Sequence, residues 1–454
     1  MNAAAHTVNE SGAKRPGTLV YGLGGTGLSV ARYLKRAGRD AVYFDTRNAP
    51  PGLAELHDTV PDADVVLGDL PQDRRDGLMQ AIVSPGIPDS DERLSELRSA
   101  GVDITCDIEM FVADAPAEFV AITGSNGKST VTTLVEQMCN AAGHRALAGG
   151  NLGHAALDLL AEPTPALYVL ELSSFQLQRT RNLPASIAVL LNISPDHLDW
   201  HGSEAEYVAA KYRIFAEAKA AVVNRQDPSV AGYVAGIRDV RSFGDDEPAD
   251  GEFGLRRAGG RDWLALGREL LMPTEDIALV GRHNHMNALA ALAVCDLLGF
   301  DLDRPLEVLR TFGGLPHRMQ FIRELDGVRY INDSKATNVG AAIAAVTSVD
   351  APVILLAGGQ GKGGDFHVLA GAVADRLRAV VLFGEDAEEM AEAFAGKAPV
   401  LRAADLEEAL NTGRDAAVPG DTVLLAPACA SFDQFVNYLR RGDVFCELVR
   451  GLGS

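Results

Sequence analysis

The sequence has 454 residues, of which 47% are apolar and 23% charged, and its formal net charge is −21. This length predicts two to four domains, and the composition is that of an ordinary globular protein. The negative charge argues against non-specific binding to nucleic acid or to an anionic membrane. No run of 18 apolar residues occurs, so no membrane-spanning helix is expected.

The N-terminus and the cysteines bear on where the protein works. Residues Met1 to Pro16 are polar and lack the apolar core of a secretory signal, which predicts a disordered lead-in. The cysteines are odd in number and are never spaced as Cys-x-x-Cys, so neither a disulfide framework nor a zinc site is expected. A reducing cytoplasm is the expected location. The five are Cys106, Cys139, Cys295, Cys429 and Cys446.

A glycine-rich turn follows the first predicted strand, Thr18 to Tyr21. The turn contains Gly22, Gly24, Thr26 and Gly27, and a helical pattern follows it. The spacing matches the dinucleotide fingerprint, in which glycines allow close approach of a diphosphate. Such loops also hold other nucleotide diphosphates, so NAD(P), another diphosphate ligand and a structural turn all remain open.

Two further segments are expected at the same edge of this first sheet. Asp45, Thr46 and Arg47 come at the end of the second strand, Ala41 to Phe44, and offer groups that could bind a base or a sugar. The strand from Ala81 ends in a tight loop that contains Gly86. Open parallel sheets bind ligands at these carboxyl ends of their strands.

The strongest motif is a phosphate loop between a strand and a helix. The apolar run Phe119 to Ile122 leads into Gly124-Ser125-Asn126-Gly127-Lys128-Ser129-Thr130. An apolar helix face follows at Val131, Leu134, Val135, Met138 and Ala142. Backbone N–H groups and the helix N-terminus suit an anion. Lys128 adds a charge for the terminal phosphates, and Ser129 or Thr130 an oxygen for Mg²⁺. The glycines are separated by two residues instead of four, so this is a short variant of the P-loop.

The next segments supply polar groups near that loop. Gly149-Gly150-Asn151-Leu152-Gly153 predicts a second glycine-rich turn. The strand from Leu167 delivers Glu171 at its end, where a carboxylate is placed for Mg²⁺, and Ser173 and Gln176 follow. His197 and His201 lack the glutamate of a zinc protease.

Two helices follow in the middle of the chain. Glu204 to Ala218 reads as one helix, on which the residues alone predict Lys211 to be a surface lysine. Asn284 precedes a helical run, Ala288 to Leu298, and either caps it or contacts a nucleotide.

The last third predicts another parallel α/β sheet after a hinge at Gly313-Gly314. Strands from Val328, Val353 and Thr422 each end in a polar loop, and the helices between them include Leu369 to Leu377 and Leu406 to Leu410. Two lysines and two aspartates at these strand ends suggest a cleft for a small charged molecule.

In this order the motifs resemble the Mur ligases, over nearly the whole chain after residue 16. The resemblance rests on Thr123 to Thr130, Glu171 to Gln176, Asn192 to His201, His283-Asn284 with Asn287, His317-Arg318, Asn332 to Asn338 and Ala428 to Gln434. It implies an α/β fold of three domains: a Rossmann-like UDP-binding domain at 17–113, a central P-loop ATPase domain at 114–313 and a Rossmann-like amino-acid-binding domain at 314–454.

The resemblance also implies a reaction and its participants. The protein is expected to be an ATP-dependent ligase, a cytoplasmic monomer that uses ATP and two Mg²⁺ ions. Its substrates would be UDP-N-acetylmuramoyl-L-alanine and D-glutamate, and neither nucleic acid nor membrane would be a partner.

Site residues follow from the same resemblance. Catalysis would use Lys128, His197 and Lys211, and the metal ions would be held by Ser129, Glu171, His197 and a carbamylated Lys211. ATP would contact Gly124, Ser125, Asn126, Gly127, Lys128, Ser129, Thr130, Asn284, His317, Arg318 and Asp333. The two substrates would contact Gly22, Gly24, Thr26, Gly27, Asp45, Thr46, Arg47, Gly86, Asn151, Ser173, Gln176, Lys335, Thr337, Lys362, Ser431 and Tyr438.

The match departs from the family in one place, and alternatives stand beside it. Tyr438 occupies a position where the family usually has phenylalanine, and no Asp-Asn-Pro-Arg stretch is present, which argues against the diaminopimelate-adding relative. Folylpolyglutamate synthases share the last two domains but lack the first. An NAD(P) oxidoreductase and a nucleotide-binding switch without ligase activity are the alternatives from other classes.

Overall fold

A computed structural model of the protein describes residues 17–193, 198–227, 230–279, 281–349, 352–361 and 365–453. The predicted lead-in, Met1 to Pro16, lies outside these residues. The chain forms two compact units, one ending at Thr311 and the other beginning at Phe312. Both are built from largely parallel sheets flanked by helices, so the predicted α/β class is confirmed.

The first sheet has five short strands, and its first strand is buried from end to end. The strands are β1 (Thr18–Tyr21), β2 (Val42–Asp45), β3 (Asp64–Leu67), β4 (Gln80–Val83) and β5 (Asp103–Thr105). The helices are α1 (Gly25–Arg36), α2 (Leu53–Thr59), α3 (Gln72–Arg75), α4 (Glu92–Ser99) and α5 (Asp107–Asp114). All strands are parallel, in the order β3-β2-β1-β4-β5. The order reverses beside β1, so the loops after β1 and β4 meet where open parallel sheets bind ligands.

The second sheet lies in the same unit and has nine strands. They are β6 (Phe119–Thr123), β7 (Ala146–Gly150), β8 (Leu167–Glu171), β9 (Ile187–Leu190), β10 (Ala220–Asn224), β11 (Asp239–Phe243), β12 (Phe253–Ala258), β13 (Arg261–Leu266) and β14 (Glu269–Pro273). The strand order is β14-β13-β12-β11-β10-β9-β6-β8-β7. Strand β6 lies between β8 and β9, with Ile122 opposite both Glu171 and Val189. It is buried along its whole length, which explains its continuous apolar sequence.

Helices cover this second sheet. They are α6 (Lys128–Ala141), α7 (Ala156–Leu159), α8 (Ser174–Arg179), α9 (Leu198–His201), α10 (Glu204–Tyr212), α11 (Ala231–Val234), α12 (Arg282–Leu297) and α13 (Asp303–Thr311). The predicted apolar face of α6 is confirmed at Val131, Leu134, Val135 and Met138, which are all fully buried. Ala142 is the C-cap of the helix and is only partly buried, so the buried face ends before it.

Several local predictions for this unit are wrong. The glycine-rich turn predicted over Gly149 to Gly153 starts too early, because Gly149 and Gly150 still belong to strand β7, where Gly150 packs against the Glu171 carbonyl. The chain bends only from Asn151 onward. Helix α10 ends at Tyr212 and tightens into a 3-10 turn, Arg213–Phe215, because strand β10 begins soon afterwards. The antiparallel strands β12, β13 and β14 were not predicted.

The second unit contains a sheet of six strands. They are β15 (Gln320–Leu325), β16 (Val328–Asn332), β17 (Val353–Gly358), β18 (Leu377–Phe383), β19 (Val400–Arg402) and β20 (Thr422–Leu425). The helices are α14 (Val339–Ser348), α15 (Phe366–Val373), α16 (Ala387–Phe394), α17 (Leu406–Ala416) and α18 (Tyr438–Gly451). The order is β15-β16-β20-β17-β18-β19, so the loops after β16, β20 and β17 leave from neighbouring strands.

Two predictions for this unit need correction. The sheet is not wholly parallel, because β15 pairs antiparallel with β16 at one edge. The helix predicted over Leu369 to Leu377 begins earlier, since the Asp365 side chain accepts a hydrogen bond from the His367 N–H. It ends at Val373, and Leu377 already pairs with Val353 in the sheet.

Within the described residues, no helix combines the length and the apolar character needed to cross a bilayer. The predicted domain limits at 113/114 and 313/314 stay predictions.

Glycine is required where β17 ends. Gly358 has φ +137°, and a Cβ atom there would lie 1.7 Å from the Phe383 carbonyl oxygen. We expect Gly358→Ala to destabilise the second unit by about 3 kcal/mol or more. Gly371→Ala is the matched control: this glycine lies on an exposed face of α15 with open space around it, so alanine should stabilise by roughly 0.5–1 kcal/mol. Urea titration with hydrogen exchange on peptides of this unit measures both, and equal effects would contradict the prediction.

Candidate active site

The phosphate loop connects β6 to α6 and is held by its neighbours. Asn192, at the end of β9, accepts hydrogen bonds from the Ser125 N–H (2.9 Å, to its carbonyl) and the Asn126 N–H (2.8 Å, to Oδ1). Its Nδ2 donates to the Asn126 carbonyl at 3.1 Å. From the sequence, Asn192 was noted only as the first residue of the Asn192-to-His201 motif. Its place at the end of the strand beside β6 is the signal that could have identified it as a support for the loop.

Gly127 begins the helix with a left-handed backbone, φ +82°. A Cβ atom there would lie 2.4 Å from Oδ1 of Asn287 on α12, so the close approach of α12 requires glycine. Asn287 in turn donates from Nδ2 to Asn284 Oδ1 at 3.1 Å. The cap predicted for Asn284 is wrong: α12 starts at Arg282, its N-cap is Gly281, and Asn284 lies within the first turn.

Two lysines converge on one carbonyl of the loop. Lys128 Nζ donates to the carbonyl oxygens of Gly124 (2.8 Å) and Ser125 (2.9 Å), and Lys211 Nζ donates to Gly124 at 2.8 Å. Lys211 is 2% exposed, so its prediction as a surface lysine from the residues alone is wrong. Its amine lies 4.8 Å from the centre of the Tyr207 ring, and Tyr207 Oη is 2.7 Å from Ser125 Oγ. The short loop thus has an amine from each of two helices at its base.

Glu171 is the candidate metal ligand beside the loop. It ends β8, next to the strand that carries the loop, and is 2% exposed. Oε1 accepts from Asn151 Nδ2 at 2.6 Å, whereas the buried Oε2 has no hydrogen-bond partner among the described residues. An unpaired buried carboxylate oxygen is unfavourable, and a hard cation would satisfy it. Glu171 therefore fits Mg²⁺.

The structure shows fewer of the other predicted metal ligands. Ser129 lies buried in the first turn of α6, where a hydroxyl ligand was predicted. His197, the other predicted ligand, lies outside the described residues. Within the described parts of the chain no three His, Cys, Asp or Glu side chains cluster as a metal site. The pair of ions stays a prediction.

Two predicted substrate contacts follow Glu171. Ser173 and Gln176 form a capping box on α8: Ser173 Oγ accepts from the Gln176 N–H, and Gln176 Oε1 accepts from the Ser173 N–H at 3.0 Å. His201 lies nearby and is a buried residue, with Nε2 3.0 Å from Ser174 Oγ and its ring stacked on Phe175.

The first glycine turn requires glycine at two positions. Gly22 has φ +98°, and a Cβ atom on Gly27 would lie 2.0 Å from the Gly22 carbonyl oxygen. Gly24 precedes α1 as its N-cap, and Thr26 lies in its first turn. Ser84 Oγ, from the loop after β4, donates to the Gly22 carbonyl at 3.0 Å. The two loops predicted to meet at this sheet edge, the second carrying Gly86, therefore do meet.

Both carboxylate oxygens of Asp45 already accept hydrogen bonds from protein groups. Its Oδ1 accepts from the backbone N–H and Nε of Arg47, and its Oδ2 accepts from the Leu23 N–H and Arg47 Nη2, all at 2.7–2.9 Å. Burial opposes ionisation, but these hydrogen bonds outweigh it and lower the pKa of Asp45 to about 2. A dinucleotide fingerprint needs this carboxylate for a ribose. Here it fixes Arg47 instead, while Thr46 beside it is exposed.

In the second unit, His317 joins two loops. It is 4% exposed and has φ +60°, and its Nδ1 lies 3.0 Å from Asn332 Nδ2. Burial lowers its pKa, against the opposite pull of Asp443. Its carbonyl accepts from the Lys335 N–H at 3.1 Å, which ties the loop after β16 to this segment, where the adjacent Arg318 is exposed.

The predicted amino-acid contacts lie on loops of the same unit. Lys335 Nζ is 4.3 Å from the centre of the Tyr438 ring. Tyrosine therefore offers this lysine an aromatic face at the position where the family usually has phenylalanine. Thr337 donates its N–H to the Lys335 carbonyl at 2.7 Å. Ser431 is buried, and its Oγ has no partner in the described part of the chain. Lys362 lies outside the described residues.

Arg441 was missed by sequence reasoning. It is fully buried on α18 and donates to the carbonyl oxygens of Ser334 (3.0 Å) and Cys429 (3.1 Å) and to Ser334 Oγ (3.1 Å). Burial lowers its pKa to about 10, so it stays charged at neutral pH. It connects the loop after β16 with the loop after β20. A helical arginine carries no sequence signal for that role.

These features define a class of protein: an α/β protein with a phosphate loop, a buried carboxylate that fits Mg²⁺ and a separate glycine-rich turn of the kind that binds nucleotides. Comparisons with known proteins agree. Three family models match: the N-terminal domain of MurD-like Mur ligases over residues 17–106, the Mur ligase middle domain over 122–295, and the Mur ligase glutamate ligase domain over 317–429. The chain belongs to the Mur ligase family.

Relatives match over nearly the full length. UDP-N-acetylmuramoylalanine--D-glutamate ligase of Legionella pneumophila strain Paris is 47% identical over 96% of this chain and 99% of its own. The proteins of that name from Methylococcus capsulatus and Pseudomonas aeruginosa are 46% identical over 96% of this chain and 95% and 98% of theirs.

Solved structures support the fold. The UDP-N-acetylmuramate-alanine ligase of Thermotoga maritima has a TM-score of 0.59 at 18% identity, over 95% of this chain and 99% of that one. The MurF ligase of the same organism, in complex with ADP, has a TM-score of 0.57 at 19% identity, over 96% of each chain.

Asp333 is expected to titrate in an unusual range. Burial raises its pKa to about 6, against the opposite effects of the Met319 N–H and Arg318. Because the folded pKa lies above the unfolded value, its contribution to stability is complete below pH 4 and is lost as the pH rises through 6. A ¹³C-carboxyl NMR titration should show an aspartate with a midpoint near pH 6 that is absent from Asp333→Asn. Burial also raises the pKa of Asp107 to about 6, and its signal should stay in the variant. A midpoint at or below pH 4 would contradict this.

Proposed function

We propose that this protein is an ATP-dependent ligase that joins D-glutamate to UDP-N-acetylmuramoyl-L-alanine in peptidoglycan precursor synthesis. The observation that carries the proposal is a phosphate loop beside an unsatisfied buried carboxylate, in a chain 46–47% identical to ligases of that name. We also propose that it acts as a cytoplasmic monomer, without nucleic acid or membrane partners. Five buried cysteines, all unpaired, are consistent with a reducing compartment.

The chemistry begins with activation of a carboxylate. A carboxylate does not react with an amine at neutral pH, because oxide would have to leave. An oxygen of the alanyl carboxylate attacks the γ-phosphorus of ATP, the bond to ADP breaks, and an acyl phosphate forms. The D-glutamate amine then attacks the acyl carbon, phosphate leaves, and the amine loses a proton.

The role of the phosphate loop is electrostatic. Two anions must be brought together, and Lys128 places a positive charge at the base of the loop, from which it can turn towards the terminal phosphates. Bound Mg²⁺ supplies additional charge neutralisation, and Glu171, with Ser129 beside it on α6, would hold it. Further ATP contacts are proposed for Asn284, His317, Arg318 and Asp333.

The substrates are assigned to the remaining loops. The glycine turn at Gly22 to Gly27, with Thr46, Arg47 and Gly86, would bind the uridine diphosphate. Asp45 would act by fixing the Arg47 guanidinium, since both of its oxygens are occupied. Lys335, Thr337, Ser431 and Tyr438 would receive D-glutamate, for which the unsatisfied Ser431 hydroxyl offers a hydrogen bond. Lys362 and His197 keep the roles that the resemblance implies.

One assay tests the reaction and the choice of amino acid together. Purified protein with Mg²⁺, ATP and UDP-N-acetylmuramoyl-L-alanine should release phosphate when D-glutamate is added, and much less with L-glutamate, D-alanine or D-aspartate. The same mixture without D-glutamate gives the background. No release above this background would refute the proposal, and release with a different amino acid would refute the assignment of D-glutamate.

Chemical rescue of a Lys211 variant distinguishes a carbamylated lysine from a plain amine at this position. We expect Lys211→Ala to lose about 10²-fold or more in turnover and to be partly rescued by formate or acetate, which would supply the missing carboxylate. The matched control is Lys219→Ala, which removes an exposed lysine paired with Glu118 and should leave turnover within twofold. Rescue by methylamine instead of a carboxylic acid would show that the amine itself is needed.

A further inference from the structure

Arg179 is a buried cation that the proposed mechanism does not use. It is the last residue of α8, and its side chain is 7% exposed. Nη1 donates to the Ser84 carbonyl at 3.0 Å, and Nη2 donates to the Ile87 carbonyl at 2.7 Å and to Asp89 Oδ1 at 2.9 Å. All three acceptors belong to the loop after β4, which carries Gly86. The helix of one sheet therefore holds a loop of the other.

The loop after β4 packs against the glycine turn and forms one wall of the proposed nucleotide pocket. Ser84 Oγ donates to the Gly22 carbonyl, and a Cβ atom on Gly22 would lie 2.9 Å from Ser84 and 3.6 Å from Ile87. Two of the three acceptors of Arg179 are backbone carbonyls. The arginine consequently fixes the path of the backbone at this wall and does more than neutralise Asp89.

The other end of α8 is fixed to the phosphate-loop side. The capping box of Ser173 and Gln176 starts the helix two residues after Glu171. Strand β8, which carries Glu171, pairs directly with β6, which carries the phosphate loop. A short, continuous path therefore runs from the phosphate loop along the paired backbones of β6 and β8 and through α8 to Arg179, whose side chain and that of Ser84 complete it to the glycine turn.

We infer that Arg179 is a positioning residue, which sets the place of the nucleotide pocket relative to the phosphate loop. The inference rests on the proposed function, in which one long acceptor has its uridine diphosphate at the glycine turn and its reacting carboxylate near the phosphate loop. With the nucleotide end held, a shift of the pocket displaces the carboxylate from the γ-phosphate. Misplacement by about 1 Å can cost about 10²-fold in rate.

A neighbouring arginine provides a matched control. Arg181 also joins the two sheets, but its side chain is 53% exposed. Among the described residues its hydrogen bonds go to Asp103, Ile104 and Glu109 and none goes to the loop after β4. Removal of its charge tests whether any weakened contact between the sheets has the same effect.

The experiment compares Arg179→Gln, Arg179→Lys and Arg181→Gln with the wild type in the phosphate-release assay. We expect Arg179→Gln to lower kcat at saturating acceptor by about tenfold or more. The Kd of UDP alone, from calorimetry, and the KM for ATP should change less than threefold. Arg179→Lys should recover part of kcat, because one ammonium can bind some of the three acceptors. Arg181→Gln should keep kcat within twofold.

Three results would overturn the inference. One is an unchanged kcat in Arg179→Gln. Another is a weaker UDP affinity with unchanged kcat at saturation, which would make Arg179 a pocket-wall residue only. The third is an equal loss in Arg181→Gln. If Arg179→Gln does not fold, Arg179→Lys takes its place: one ammonium cannot keep all three hydrogen bonds of the guanidinium, so kcat should fall at least two- to threefold, and an unchanged kcat there would overturn the inference as well. Failure of the proposed function would appear separately, as a wild type without D-glutamate-dependent phosphate release.

Discussion

The carbonyl oxygen of Gly124 accepts hydrogen bonds from two lysine amines, and the geometry of the whole site depends on this contact. The loop has only two residues between its glycines, so it has fewer backbone N–H groups than an ordinary P-loop with which to shape itself. Support has to come from outside. Asn192 holds the loop from one neighbouring strand, Tyr207 and Lys211 from α10, and Asn287 packs against Gly127 from α12. A short loop made rigid in this way is preorganised for anions, because little rearrangement is needed when phosphates arrive.

The elements around each ligand loop were predictable from the sequence. A buried strand, a glycine turn and an amphipathic helix are local patterns, and the predictions for β1, β6, β16 and β20 were right to within one or two residues. The buried face of α6 was predicted for the same reason. Glycine positions were also readable, since Gly22 and Gly127 have positive φ angles and Gly27 and Gly127 meet close neighbours that only a missing Cβ permits.

The remaining features depend on contacts between distant segments. Lys211 looks like a surface residue on its helix, and its burial comes from the approach of the phosphate loop about 87 positions away. Arg179 and Arg441 are likewise ordinary helical arginines until their acceptors are known. The strands β12, β13 and β14 were missed although a hairpin signal was present, because Gly259-Gly260, both with positive φ, is a two-residue turn between β12 and β13. The ends of α10 and α15 are set by caps and neighbouring strands. The resemblance to a family predicted roles for His317, Asp333 and Ser431 that no local pattern indicated.

Arg441 also has a consequence for how the second unit assembles. Its charge is fully buried, and its guanidinium donates to carbonyl and hydroxyl oxygens of Ser334, Cys429 and Ala430. A guanidinium removed from water without these oxygens would be very unfavourable. Through this guanidinium, the final paths of the loop after β16 and the loop after β20 stabilise each other. The cooperativity of folding thus reaches into the ligand-binding loops, and this unit acquires its binding surface in the same step in which it closes its core.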